Sequence, residues 1–112
     1  MSKFEKTIKG DIAKISDQLN DDILNSAFSM NLVEESYDSY SDSEVIVKVY
    51  DKYYMRNSSR ASLTLTIFRK GDNLFISAIG SGGGTGAIIR FDWGAENDLT
   101  SIVEDSLYKM GY

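Results

Sequence analysis

The chain contains no cysteine, no histidine and no proline. Without cysteine there is no disulfide framework, no thiolate nucleophile and no thiolate metal site. Without histidine, Ser-His-Asp and Cys-His catalysis and histidine-ligated zinc are excluded. Acid–base chemistry is left to Asp, Glu, Lys and Tyr, each of which would need a strongly shifted pKa. Without proline, every turn must be made by Gly, Asn, Asp or Ser. Long apolar runs are missing too, and none approaches the ~20 residues that span a bilayer. The first residues, "MSKFEKTIKGDIAKI", interleave charge with apolar side chains and show no apolar signal-peptide core, so the expected location is the cytoplasm. Positive charge is scarce: 12 Lys and Arg stand against 17 Asp and Glu, a net charge of -5. The basic residues are also scattered, which disfavours nucleic acid and anionic membrane surfaces as partners. No metal site and no cofactor is implied.

What is present describes an ordinary globular protein. The 112 residues are 42% hydrophobic and 12% aromatic, enough for one domain over residues 1–112 with a single core. "SKFEKTIKG" alternates like a short strand, and Gly10 breaks it. Asp11 is placed to cap a helix whose apolar positions, Ile12, Ile15, Leu19 and Ile23, form one stripe ending near Asn25. From Phe28 the period changes to two. Strands are expected in "FSMNLVEESY", "EVIVKVYDKYYM", "ASLTLTIF" and "LFISAIG", with "KGDN" as a hairpin turn. "AIIRFDW", residues 87–93, is a candidate for one more strand. Helical spacing returns at Leu99, Ile102, Val103, Leu107 and Met110. The expected fold is α+β: an antiparallel sheet of five or six strands with two helices on one face, in the order β-α-β-β-β-β-(β)-α. By layout this resembles the TBP-like and helix-grip arrangements, an analogy that carries no function.

Three stretches are candidates for sites. "GSGGGTG" fits the loose spacing of a phosphate loop through Gly82, Gly84 and Ala87. However, no Lys-Ser/Thr pair follows, and a strand rather than a helix is expected next, so a turn is the favoured reading. In "YYMRNSSRAS", Arg56 and Arg60 flank Asn57, Ser58 and Ser59. Two guanidinium groups beside small donors suit a carboxylate or phosphate, although pairing with surface acids is the plainer expectation. Together with Gly82, Gly83 and Gly84, these residues form the candidate ligand site. "EESYDSYSDSE", Glu34 to Glu44, lacks the spacing of a calcium loop and reads as a solvated hairpin tip. Tyr50, Tyr53, Tyr54 and Phe68 are expected on the sheet face opposite the core, beside Thr64 and Thr66, a surface that either meets a partner or is covered by the chain's own loops.

The stretches "DDILNSAFSM", "VYDKYYMRNSSRASLTLTI" and "SAIGSGGGTGAIIRFDWGAE" resemble an uncharacterised family of short bacterial proteins, a domain of unknown function. The resemblance implies a stand-alone single-domain protein and supplies no activity, cofactor or site residue. The residues themselves support a non-enzymatic module that associates through the uncovered sheet face as a homodimer, with Tyr50, Thr64, Thr66 and Phe68 as its interface. Two alternatives stand beside it. One is a binder of a small anionic or amphipathic ligand, held in a cavity between the sheet and the C-terminal helix near Trp93 and Leu107. The other is an acid–base enzyme using Asp or Glu with Arg, recognisable by a buried carboxyl in a cleft facing Arg56 or Arg60. No catalytic residue is assigned.

Overall fold

The computed structural model describes residues 2–55, 58–82 and 99–112. Within them the order is β1 (Ser2–Lys9), α1 (Ile12–Leu24), β2 (Met30–Tyr40), β3 (Ser43–Tyr54), β4 (Ser59–Lys70), β5 (Asn73–Gly82) and α2 (Thr100–Lys109). The strands form one antiparallel sheet in the order β1-β5-β4-β3-β2. This is the α+β fold expected from the sequence. The possible sixth strand at residues 87–93, and Trp93 with it, lies outside the described residues.

Local chemistry sets the ends of α1. The Asp11 carboxylate accepts a hydrogen bond from the Ala13 backbone N–H at 3.0 Å, satisfying one of the free donors of the first turn. Ile12, Ile15, Leu19 and Ile23 then fall on one buried face, and the helix closes at Asn25. In α2, Val103 and Leu107 are buried, along with Leu99 just before the helix. The Ser106 hydroxyl donates to the Asp22 carboxylate, which also accepts from the Gln18 amide at 3.0 Å, tying the two helices together.

Both helices bury their stripes against one face of the sheet. That face presents Leu63, Leu65 and Ile67 from β4, Leu74, Ile76 and Ala78 from β5, Ile8 from β1 and Met30 from β2. Each fully buried Leu or Ile contributes roughly 1.5–3 kcal/mol over an exposed one, so this layer is the main source of stability.

Tyr50 belongs to this layer, and here the sequence-based expectation is corrected. It is fully buried and its hydroxyl donates to Asn20 Oδ1 of α1 at 2.6 Å. Burial, with the nearby Glu35 charge second, pushes its pKa well above the ordinary tyrosine value. The reason is register: β3 pairs with β4 so that Tyr50 stands opposite Leu63, and cross-strand partners share a face. The same rule puts Tyr54 on the covered face and Tyr53 on the open one.

The stretch Glu34 to Glu44 is also corrected. It is not a hairpin tip but mostly strand, with the chain reversing only at Ser41 and Asp42 between Tyr40 and Ser43. Phe28, expected in a strand, precedes β2 and is exposed. β2 also carries a bulge: Leu32 pairs with Tyr50 and Glu34 with Val49, leaving Val33 without a partner. Beyond the bulge, odd-numbered residues of β2 face the helix side and even-numbered residues face the open side.

Candidate functional site

Neither helix covers the second face of the sheet, and cross-strand pairing turns its residues into a grid. One row runs Asp38, Val45, Phe68, Phe75, Thr7 from the β2 edge to the β1 edge. The next runs Ser36, Val47, Thr66, Ser77, Glu5, and the third Glu34, Val49, Thr64, Ile79, Lys3. Apolar side chains fill the β3 column and the first row of this grid around a centre of Thr66, Thr64 and Ser77. Phe68, Phe75 and Ile79 are 40%, 37% and 38% exposed, and the three valines between them and β2 are half-buried. Thr64, Thr66 and Phe68, three of the four expected interface residues, share this surface, while Tyr50 does not.

The two edges of the face differ in charge. The β2 edge carries Glu34 and Asp38, both exposed. The β1 edge carries Lys3, Glu5 and Lys9, with Lys3 Nζ 3.8 Å from Glu5 Oε1 and the Ser77 hydroxyl donating to Glu5 Oε2 at 2.9 Å. The acidic edge is a product of the bulge. Had β2 run without it, Glu34 and Asp38 would have turned to the helix side.

The proximal end of β4 and β5 gathers the residues of the expected ligand site that are described. Arg60 lies on the open face, 3.0 Å from Asp51 Oδ2, with its guanidinium 5.3 Å from the Tyr53 ring centroid. The carboxylate facing Arg60 is therefore an ion-paired one, with Asp51 about a quarter exposed. Ser59 is buried opposite Tyr54, and Ser58 is exposed with a φ of 54°. Gly82 stands opposite Ala61 with a φ of +95°, and a Cβ there would come within 3.1 Å of the Arg60 carbonyl oxygen, so this position demands glycine. Arg56, Asn57, Gly83 and Gly84 lie outside the described residues, and with them the geometry of an anion nest. The Tyr54 hydroxyl is buried with no hydrogen-bond partner among the described residues, and burial raises its pKa.

Among the described residues, grooves lie beside both helices. One, of about 370 Å³, runs between α1 and the β2–β3 hairpin and is lined by Ser16, Asp17, Glu35, Tyr37, Ile46 and Lys48. The Lys48 ammonium, nearly buried, reaches to 3.8 Å from Glu35. The other, of about 250 Å³, lies between β1 and α2 beside Phe4, Lys6, Leu107 and Tyr108. The second occupies the side of the sheet where a ligand cavity against the C-terminal helix was expected, and acidic Glu104 and Asp105 also line it.

At the distal end, one arginine joins the two hairpin turns. Arg69 Nε donates to Glu44 Oε1 at 2.6 Å, and its Nη1 donates to the carbonyls of Asp42 and Gly71 at 3.0 and 2.8 Å. The Tyr37 hydroxyl donates to the other Glu44 oxygen at 2.5 Å. The Tyr37 hydrogen bond first, then Arg69, hold the Glu44 carboxyl below its ordinary pKa. The stability this gives is present above the ordinary carboxylate range and is lost as pH falls through the lowered value. Among the described residues, no group of three acidic side chains is placed to hold a metal ion.

Residues 1–111 match the model of a family of unknown function, DUF6054. The chain belongs to this family. Compared with the curated proteins, the chain matches none. Among solved structures, the DUF6054 chain is similar to the hypothetical protein jhp0584 from Helicobacter pylori, with a TM-score of 0.57 and 11% identity over 94% of this chain and 83% of that one. It is also similar to a DUF4468 family protein from Bacteroides ovatus, with a TM-score of 0.29 and 13% identity over 68% and 51% of the two chains. TTHA0849 from Thermus thermophilus gives a TM-score of 0.32 and 9% identity over 98% of each chain. The likeness to the Helicobacter pylori protein is one of fold alone. No described helix of this DUF6054 protein is long and apolar enough to cross a membrane.

Proposed function

We propose that the chain is a non-enzymatic association module whose binding surface is the open face of its sheet and whose partner is a second copy of itself. The observation that carries this reading is the apolar surface in which Val45, Val47 and Val49 run on into Phe68 and Phe75, with Ile79 beyond Thr64, and which neither helix covers. An antiparallel sheet tolerates water on one face when that face is polar, but contiguous apolar surface marks a contact. With strands ~4.8 Å apart and ~3.4 Å per residue, the face measures on the order of 24 by 27 Å, or roughly 650 Å². That is of the same order as the roughly 800 Å² per partner of a standard interface. Two such faces stacked ~10 Å apart would make a β-sandwich core with helices outside.

A small anionic ligand at the proximal end is less well supported, because Asp51 already holds the Arg60 guanidinium. Sedimentation velocity across the micromolar range tests the proposal. The wild-type protein should dimerise, and Phe68→Asp should shift it to monomer with an unchanged circular dichroism spectrum. Thr66→Lys, in the same strand and on the same face, should do likewise. A wild-type monomer at high micromolar concentration would overturn the reading.

A further inference from the structure

Resting on that reading, we infer that the two copies stack with their two-fold axis parallel to β4, so that the acidic β2 edge of each sheet lies over the lysine-bearing β1 edge of the other. Two sheets that meet face to face through one two-fold axis in the interface have two simple choices. The axis can run along the strands or across them, and the charges at the edges distinguish the two.

Because β4 is the middle strand of the order β1-β5-β4-β3-β2, an axis along it places β3 over β5 and β2 over β1. Rows then meet their own continuation. Glu34 comes over Lys3, Tyr40 over Lys9, and Ser36 over the carboxylate of Glu5. In the centre Val45 meets Phe75, Val49 meets Ile79 and Phe68 meets its own copy. By symmetry each of the cross-edge contacts occurs twice. Lys70, at the distal end of β4, meets its copy only at the margin of the interface.

An axis across the strands, through the row of Thr66, still sets Val45 over Val49 and Phe75 over Ile79, though Phe68 falls over Thr64, and it rearranges the charges. It stacks β2 on β2 and β1 on β1, so Asp38 falls over Glu34 twice and Glu5 over Glu5 once. Like charges brought together at an interface suppress that arrangement, while opposite charges at the rim fix register and speed encounter. The apolar block thus supplies the contact and the edges choose its orientation.

Charge exchange tests this, because the two orientations predict opposite signs. Sedimentation equilibrium at low salt should find that Glu34→Lys weakens the dimer roughly three- to tenfold, as expected for a pair of exposed ion pairs turned repulsive. Lys3→Glu should weaken it similarly, and the double variant Glu34→Lys/Lys3→Glu should recover most of the loss. Both positions are exposed, and matched melting temperatures would confirm that the variants fold. A tighter dimer in Glu34→Lys would place the axis across the strands and overturn this inference, while leaving self-association through the face intact. No recovery in the double variant would overturn it as well. If the wild type is a monomer and Phe68→Asp changes nothing, both the orientation and the self-association reading fall.

Discussion

At the scale of single residues, the hairpin turns show where the chain carries local strain. Gly71 reverses the chain between β4 and β5 with a φ of +62°, a conformation glycine adopts freely. The corresponding turn between β2 and β3 has Ser41 at a φ of +55°. A side chain there costs about 1–2 kcal/mol, because Cβ crowds the following carbonyl. Ser41→Gly is therefore expected to stabilise the protein by about 0.5–1 kcal/mol after the added flexibility of the unfolded chain is set against it. Thermal melts should show a rise of a few degrees, on the order of 3–6 °C, and a fall would mean that Ser41 makes a contribution outweighing the strain. The turn at "KGDN" is legible because Gly and Asn announce it, whereas serine carries no such signal and "SDS" merges into a longer acidic stretch. Tyr50 was misplaced for a related reason. β3 has apolar side chains on both faces, so its own alternation cannot say which face is covered. Only its pairing with Leu63 decides.

At the scale of elements, the bulge in β2 was the feature that the sequence hid most completely. Nothing in "MNLVEES" marks Val33 as an extra residue, since β-branched residues suit strand positions as well as bulges. Yet the bulge decides that Glu34 and Asp38 of β2 face the open side while Glu35 meets Lys48. Because Leu32 and Glu34 pair with consecutive residues of β3, removing Val33 leaves a continuous ladder with every other pairing unchanged. Deleting Val33 should therefore yield a folded protein within about 1 kcal/mol of the wild type, with cross-strand NOEs still linking Glu35 to Lys48 and Tyr37 to Ile46. NOEs shifted by one residue beyond Leu32 would show that the bulge, and not the pattern, holds the register. Helix α1 was legible to within a residue, Asp11 as cap and Asn25 as end, because capping chemistry and a 3.6-residue stripe leave few alternatives, whereas α2 has no capping side chain to mark its start.

At the scale of the whole molecule, the order of elements and the antiparallel sheet were readable, since two amphipathic helices and a meander have few ways to bury their apolar faces together. The open face was only half readable. Thr64, Thr66 and Phe68 follow from the clean alternation in β4, but the charged edges appear only when β1 and β2 are set at opposite sides of the sheet. That placement has a further consequence. β2, β3, β4 and β5 pair with neighbours close in sequence, while β1 must pair with β5, Lys9 reaching Asn73 and Ser2 reaching Gly80. Distant pairings form late because their loop must close first. Pulse-labelled hydrogen exchange during refolding should find the β3–β4 amides protected before those of β1, and simultaneous protection would contradict this order. On the ribosome the delay becomes a matter of seconds: β1 is made first and waits about 70 residues for its partner, roughly 4–14 s at ~5–20 residues per second. Through that interval Phe4 and Ile8 lack the strand they pair with. The growing chain offers chaperones a short apolar handle that disappears only when β5 is complete.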